Sequence, residues 1–207
     1  MNPFDRTLFH FVNQFAGHNP VVDAFMSFIS EYSPEIYGAL FIIAWFTLPR
    51  TDSLRRHSLV VGVCGGILAL IINVIIAHIW FRPRPFVTLP KGDFTQLVPH
   101  ANDASFPSDH TSGSFGFASA TWGKAAKWVS YSFTILAVLV LISRVYCGEH
   151  WPTDVLASVV VGVFSGRIMW KLSRWIYPIT ELGLRIFSYG KFSKQRRKRG
   201  TNVSNDR

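Results

Sequence analysis

The segment from Ser58 to Phe81 contains no Asp, Glu, Lys or Arg, and this run constrains the fold more than any other feature of the sequence. A transmembrane helix needs about 20 mostly apolar residues to cross a bilayer core roughly 30 Å thick, and the run is long enough. Charged residues make up only 16% of the 207 residues, against roughly a quarter in soluble domains. We therefore predict an integral membrane protein.

The predicted fold class is all-α: a polytopic membrane helix bundle with about five transmembrane helices. Each predicted span is an apolar segment bounded by proline, glycine or charged residues. The third span is short and contains Gly113, Gly116 and Ala118, a composition that favours close helix packing. The predicted spans are Pro34–Leu48, His57–Phe81, Thr111–Trp122, Trp128–Ser143 and Thr153–Trp170.

Amphipathic segments flank these spans. Between Phe4 and Phe15, apolar residues recur at helical spacing, which is typical of a helix lying in the membrane interface. Val21–Ile29 is apolar but short, and we interpret it as an interfacial helix that leads into the first span. The alternative is that residues 4–29 form an extra span. Leu172–Phe187 is predicted to be a C-terminal interfacial helix.

Part of the net charge of +9 lies in the C-terminal tail. Residues 191–207 contain a basic block followed by polar residues, and we predict a disordered tail that lies at anionic lipid and not on nucleic acid. Residues 1–190 are predicted to form a single membrane-embedded domain.

Lysines and arginines in short loops set the predicted orientation. With five spans, the basic residues after the first, third and fifth spans all fall on one side of the membrane. The positive-inside rule makes that side cytoplasmic, together with the C-terminus. Residues 82–109 and 144–151 then face the extracytoplasmic side of the membrane.

Three polar clusters lie at the span boundaries on that extracytoplasmic side, and all hold groups that bind anions or move protons. Each has a plain alternative: an Arg-Pro repeat can end a helix, Ser-Asp can cap one, and Arg and His can anchor at an interface. Their coincidence on one side favours a common site. The clusters are residues 82–85, 106–111 and 143–154.

Together the clusters resemble the signature of the type 2 phosphatidic acid phosphatase superfamily. Its third part, Ser-Arg, five residues, His, three residues, Asp, is matched completely. Its second part, Pro-Ser-Gly-His, is matched with Asp109 in place of glycine. Its first part, Lys, six residues, Arg-Pro, is matched only at Arg84-Pro85, because Ala77 stands where the family has lysine. His78 and Arg82 are nearby candidates to supply that charge.

The resemblance implies a covalent phosphohistidine mechanism. His150 would attack phosphorus, Asp154 would orient His150, and His110 would protonate the leaving oxygen and then activate water. Backbone N–H groups at the start of the following helix would help to bind the phosphoryl group. The phosphoryl oxygens would be held by the side chains of Arg84, Arg144 and Ser108.

Within the superfamily, the chain is similar to the small bacterial undecaprenyl-diphosphate phosphatases of the bacitracin-resistance type. The similarity rests on residues 82–86, on residues 99–111 with their Pro-Ser-Asp-His variant, and on the missing lysine. It implies hydrolysis of undecaprenyl diphosphate to the monophosphate, which recycles the cell-wall lipid carrier. The alternative within the same chemistry is a phosphatidylglycerophosphate or phosphatidic acid phosphatase.

Two other functional classes fit the residues less well. A transporter or anion-binding protein would use the arginines but would not need His150 and Asp154. A vanadate-dependent peroxidase shares the oxyanion site, but the apolar spans argue against it. No metal-ligand pattern occurs in the sequence, so we expect hydrolysis without a metal or cofactor. The predicted partners are a polyprenyl diphosphate and the bilayer, and no oligomeric state is predicted.

Two details of the predicted site remain open at this stage. Asp109 places a negative group beside a phosphate site, so we expect it to cap a helix or to pair with Arg82 or Arg84. Aromatic residues near the clusters are candidates to flank a lipid tail or, alternatively, to form an interfacial belt. These aromatic residues are Trp80, Phe81, Phe86 and Trp151.

Overall fold

The computed structural model describes residues 3–193, and all regular secondary structure in that part of the chain is helical. This confirms the predicted all-α bundle. The helices are α1 (Pro3–Asn13), α2 (Pro20–Thr47), α3 (Ser53–Ile79), α4 (Pro85–Thr88), α5 (Asp109–Thr121), α6 (Lys127–Tyr146), α7 (Pro152–Lys171) and α8 (Ser173–Ile186).

Three of these helices, α3, α6 and α7, are long and apolar enough to cross a membrane. They correspond to the second, fourth and fifth predicted spans. The third predicted span is α5, which has 13 residues and is therefore about 20 Å long, shorter than a bilayer core. It still runs from one end of the bundle towards the other, since α6 starts soon after it and returns.

The first predicted span needs a correction, because Val21–Ile29 is not a separate interfacial helix. It is the first part of α2, a 28-residue helix with a kink at Tyr32. Pro34 explains the kink, since proline has no N–H and its ring crowds the carbonyl four residues earlier. That carbonyl belongs to Ser30, and it accepts a hydrogen bond from Nη1 of Arg144 at 3.1 Å. The kink thus supplies an acceptor to one of the polar clusters.

Helix α1 packs against the bundle instead of only lying in the interface. Asp5, Phe9 and Asn13, spaced four residues apart, are buried on one face. The Asn13 side-chain amide donates to the carbonyls of Thr95 at 2.7 Å and Tyr146 at 2.8 Å. Residues 4–29 belong to two helices, α1 and the first part of α2, and do not form one continuous helix.

The opposite end of the bundle is organised by Arg56, which is fully buried. Its guanidinium donates to the carbonyls of Trp45 and Leu48 at the end of α2, and lies 4.0 Å from the ring centre of Tyr189. It thereby satisfies carbonyls that a helix C-terminus leaves free.

Helix α8 matches the predicted amphipathic C-terminal helix. Ile176, Thr180 and Leu184, again four residues apart, are buried on one face. The tail beyond it was predicted to be disordered and cytoplasmic. Residues 194–207 lie outside the described part of the chain, so that statement stays a prediction.

Helices α3, α5 and α7 approach closely at glycines. A Cβ atom added to Gly116 of α5 would lie 2.6 Å from the carbonyl oxygen of Gly65 on α3. One added to Gly162 of α7 would lie 2.5 Å from the carbonyl oxygen of Ser112 on α5. The predicted close packing of α5 is thus present, and its partners are glycines of the two neighbouring helices.

We expect Gly116→Ala to lower the free energy of unfolding by about 1–3 kcal/mol, because the added methyl forces two backbones apart. The matched control is Gly113→Ala on the same helix, where a Cβ would meet only Leu70, at 3.8 Å. Thermal unfolding of both variants in the same detergent tests this. Equal melting temperatures would show that the α3–α5 contact does not require glycine.

Candidate active site

The structure brings the three predicted polar clusters together at one end of the bundle. Arg144 lies in the last turn of α6, and α7 begins at Pro152 with Asp154 in its first turn. Ser108 is the residue directly before α5, and Arg84 directly precedes the short α4. Residues from four chain segments therefore converge on the turn that contains His150.

His150 is the centre of this arrangement and is only 1% exposed. Its Nδ1 lies 2.8 Å from the carbonyl oxygen of Ser105. A carbonyl only accepts, so Nδ1 carries the proton and Nε2 of the neutral ring keeps its lone pair. Nη1 of Arg84 lies 3.0 Å from Nε2, and Nη2 of Arg144 lies 3.4 Å from it.

The protonation state of His150 follows from its surroundings. Burial, and then the positive charges of Arg144 and Arg84, lower the pKa of His150 well below its ordinary value. The imidazole is therefore neutral near pH 7. A neutral imidazole whose unprotonated Nε2 faces two cationic donors is a nucleophile placed where an anion binds.

Asp154, which was expected to orient His150, does not form a direct hydrogen bond with it. Their closest atoms, Oδ2 and Nδ1, are 3.8 Å apart, which is too long for a hydrogen bond. Asp154 Oδ2 instead accepts from the Ser105 hydroxyl at 2.5 Å and from the N–H of Trp151 at 3.0 Å. Ser105 thus connects the two residues, because its carbonyl accepts the proton of His150 while its hydroxyl donates to Asp154.

Arg82 supports Asp154 and does not replace the missing family lysine at the anion site. Its Nη1 donates to Asp154 Oδ1 at 2.5 Å, and its Nη2 donates to Asp5 Oδ2 at 2.6 Å. His78, the other candidate for that charge, is exposed, and its Nδ1 lies 2.8 Å from the carbonyl of Val74 in its own helix. Asp5 of α1 was not foreseen as part of this network.

Each of the two arginines beside His150 has its own carboxylate partner. Arg84 Nε donates to Asp103 at 2.6 Å, and Arg144 Nη2 lies 2.5 Å from Glu149. Asp103 is half-exposed, whereas Glu149 is completely buried. The two carboxylates fix the planes of the guanidinium groups, and they offset part of the positive charge.

Glu149 was missed by the sequence reasoning, and so was Ser30. The Ser30 hydroxyl donates to Glu149 Oε1 at 2.6 Å, and Arg144 Nη1 donates to the Ser30 hydroxyl at 3.1 Å. The available signals were an acidic residue directly before the predicted nucleophile and Pro34, which frees the Ser30 carbonyl. Neither signal identifies the residue that is contacted, because the contacts join residues more than 100 positions apart.

Ser108 and His110 lie at the start of α5. The Ser108 side chain is fully buried, and its hydroxyl accepts from Thr111 at 3.2 Å. Its backbone N–H, one of the groups predicted to bind phosphate, donates to the Ser158 hydroxyl at 2.7 Å. His110 is half-buried and within electrostatic range of Arg144 and Arg84.

One expectation was that Asp109 pairs with Arg82 or Arg84. Asp109 forms an ion pair with neither arginine. Its Oδ1 accepts from the side-chain amide of Asn73, a buried residue of α3, at 2.8 Å. Its position in the first turn of α5 is favourable because the N-terminus of a helix is electropositive. An amide partner and the helix dipole therefore stabilise this carboxylate.

Comparison with known proteins identifies the family. The sequence profile of the PAP2 superfamily matches residues 58–178. An undecaprenyl-diphosphatase, BcrC of Bacillus subtilis, is 37% identical over 87% of this chain and 90% of its own length. The chain belongs to the PAP2 superfamily. This confirms the resemblance drawn from the three polar clusters.

Two further proteins are similar to this chain in sequence or in fold. A bacitracin transport permease protein, BcrC of Bacillus licheniformis, is 29% identical over 96% of this chain and 93% of its own length. The crystal structure of Aquifex aeolicus LpxE superimposes with a TM-score of 0.66, covering 82% of this chain and 96% of LpxE, at 22% identity. At that identity, the likeness shows a common fold.

The region matched by the PAP2 profile contains all six predicted site residues but leaves out α1 and α2. These two helices nevertheless contribute to the site through Asp5, which binds Arg82, and Ser30, which binds Arg144 and Glu149. Helices α1 and α2, less than a quarter of the chain, therefore help to support the candidate active site.

Proposed function

We propose that the protein is a membrane phosphatase that hydrolyses undecaprenyl diphosphate to undecaprenyl phosphate and inorganic phosphate. The observation that carries the proposal is the Nε2 atom of His150, which keeps its lone pair and lies 3.0 and 3.4 Å from the guanidinium nitrogens of Arg84 and Arg144. The choice of lipid is supported by the Bacillus subtilis relative, which is named an undecaprenyl-diphosphatase.

The proposed reaction has two steps. In the first, Nε2 of His150 forms a bond to the terminal phosphorus while the bond from phosphorus to the bridging oxygen breaks, and His110 protonates that oxygen. In the second, His110 takes a proton from water as the water oxygen attacks phosphorus, and the phosphorus–nitrogen bond breaks. Inorganic phosphate leaves, and both histidines return to their starting states.

The residues around His150 have complementary parts in this reaction. Arg84, Arg144 and Ser108 bind the phosphoryl oxygens, where negative charge is spread in the transition state. Asp154 acts through Ser105: it holds the serine whose carbonyl orients the imidazole, and its charge stabilises the positive phosphohistidine. Asp154 is thus a positioning residue in this proposal.

An assay on defined substrates tests which lipid the protein prefers. We expect kcat/KM to be at least about tenfold higher for undecaprenyl diphosphate than for phosphatidylglycerophosphate or phosphatidic acid in one detergent, a difference of about 1.4 kcal/mol. Overproduction should also raise bacitracin tolerance, since that antibiotic captures the diphosphate. A tenfold preference for phosphatidylglycerophosphate would retain the mechanism and exclude the cell-wall role.

Phosphate release should continue in the presence of a chelator. Fixed guanidinium groups provide the positive charge that divalent ions supply in other phosphatases. The measurement is the rate of phosphate release with and without EDTA, followed by added Mg²⁺ or Zn²⁺. Loss of activity in EDTA together with recovery on adding metal would contradict the proposed use of fixed cations.

The catalytic end of the bundle is proposed to face the outside of a bacterial plasma membrane, with the C-terminus in the cytoplasm. We expect a membrane-impermeant thiol reagent to label Lys91→Cys in intact cells and to miss Ser53→Cys. Ser53 is the first residue of α3, and Lys91 lies beyond the opposite end of that helix. Labelling of Ser53→Cys in intact cells, with Lys91→Cys protected, would invert the orientation.

A further inference from the structure

A groove of about 640 Å³ lies between α2, α3 and α5. At one end it is lined by Asp109 and His110, in the first turn of α5. Away from that end its walls are mostly apolar, with Phe41 and Ile42 of α2 and Leu70 of α3 among them. The groove therefore connects the predicted proton donor with the apolar surface of the bundle.

We infer that this groove binds the first isoprenoid units of the substrate's prenyl chain. The inference rests on the proposed function, because it assumes a prenyl diphosphate as substrate. The groove follows α2 from Ser33 to Ile42, and nine residue steps of a helix cover about 14 Å. That is about half of a bilayer core, so the rest of a long chain extends into lipid.

The reaction chemistry fixes the direction in which the chain leaves the site. The nucleophile and the leaving oxygen lie on opposite sides of the transferred phosphorus. His150 occupies the attacking side, so the general acid His110 has to contact the leaving oxygen. That oxygen belongs to the prenyl phosphate, and the chain must therefore start next to His110, where the groove begins.

Charge separates the head group from the tail. Arg84 and Arg144 attract the diphosphate to the site around His150, whereas the Asp109 carboxylate at the groove entrance disfavours its movement further into the groove. Among the described residues that line the groove, none is a lysine or an arginine. An uncharged hydrocarbon chain is the part of the substrate that such a groove accepts.

The aromatic residues first considered for the tail do not take this role. Trp151 is buried, and its indole N–H donates to the carbonyl of Pro83 at 3.0 Å. Neither Trp151 nor Trp80, Phe81 or Phe86 lines the groove, whose described wall on α2 is formed by other residues. The contact surface for the chain is instead the kinked part of α2 after Pro34.

Gly38 is the residue in this wall that controls the free width of the groove. It is exposed, and a Cβ atom built on it would meet nothing within 4 Å. A large side chain at this position therefore enters open space and fills the groove without a clash in the bundle. Its neighbour Ala39 is also exposed but lies outside the groove, so it offers a matched control.

The experiment compares Gly38→Trp and Ala39→Trp on two substrates that share a diphosphate. Farnesyl diphosphate has a chain that fills the groove, and isopentenyl diphosphate has a single five-carbon unit. We expect Gly38→Trp to lower kcat/KM for farnesyl diphosphate about tenfold or more, mainly through KM. Hydrolysis of isopentenyl diphosphate by Gly38→Trp, and both activities of Ala39→Trp, should match the wild type.

The outcomes separate the groove from the proposed function. If the wild type releases no phosphate from undecaprenyl diphosphate or from either shorter diphosphate, the proposed function fails. If it hydrolyses farnesyl diphosphate and Gly38→Trp does so equally well, or loses both substrates to the same extent, the groove does not bind the chain.

A second measurement needs no folded variant. A photoreactive farnesyl diphosphate analogue, added to the wild-type protein, should label the peptide that contains residues 33–42. Labelling confined to other helices would overturn the inference and leave the groove to membrane phospholipid.

Discussion

Replacing His150 with alanine should abolish turnover while the protein still inserts and folds. The change removes the atom that forms the bond to phosphorus, so the rate should fall by about four orders of magnitude or more. It also leaves the Ser105 carbonyl without its donor, at a cost of about 1–3 kcal/mol in stability. A bundle of this size tolerates such a loss, so inactivity and unfolding remain distinguishable.

The measurement combines phosphate release with trapping of the intermediate. Wild-type protein given a prenyl diphosphate labelled with ³²P in its terminal phosphate should carry acid-labile label after rapid quenching, and His150→Ala should carry none. The matched control is His78→Ala, an exposed histidine outside the site that should retain full activity and labelling. Folded His150→Ala protein with near-normal phosphate release would rule out the covalent mechanism.

The spans and the site residues were predictable to different degrees. The uncharged run that forms α3 is a local signal, because helix formation and membrane burial both depend on neighbouring residues. In α2, Glu31 and Pro34 interrupt the apolar pattern and suggested a helix boundary. The helix instead continues with a kink, since Arg144 from a distant segment donates to the Ser30 carbonyl that Pro34 leaves free.

The candidate active site shows the same division between local and distant information. The four-residue spacing of His150 and Asp154 would allow a direct contact across one helical turn. That contact fails because His150 precedes the first helical residue, Pro152, and so does not share the helix geometry with Asp154. The residue that connects them, Ser105, lies in a loop 45 positions before His150. No periodic pattern reports such a contact.

Glu149 does not bind the anion itself but holds an arginine that is expected to bind it. A carboxylate beside a phosphate-binding arginine weakens the attraction for phosphate, yet here it is completely buried and held by Ser30. Its role is then to hold the Arg144 guanidinium next to Nε2 of His150. Burying a guanidinium group without a partner costs free energy, so without Glu149 the side chain of Arg144 would adopt another position.

We therefore expect Glu149→Ala to be among the most damaging single changes outside the PAP2 signature. Removing one partner of a buried ion pair costs about 3–5 kcal/mol, and the loss of a fixed Arg144 should lower kcat about 100-fold or more. Glu149→Gln keeps the shape and an acceptor for the Ser30 hydroxyl, so it should fold better. It also removes a negative charge, so vanadate and phosphate should bind it more tightly while kcat falls.

Tighter binding of vanadate together with a lower kcat distinguishes a role of Glu149 in positioning Arg144 from a role in packing alone. The matched control is Asp103→Asn, which changes the carboxylate on Arg84 in the same way. Asp103 is 56% exposed, so solvent screens its charge and the effect should be small. The measurements are melting temperature, kcat, and the inhibition constant for vanadate in all three variants. If Glu149→Gln lost stability while kcat and vanadate binding stayed at wild-type values, Glu149 would be a packing residue and Arg144 would not depend on it.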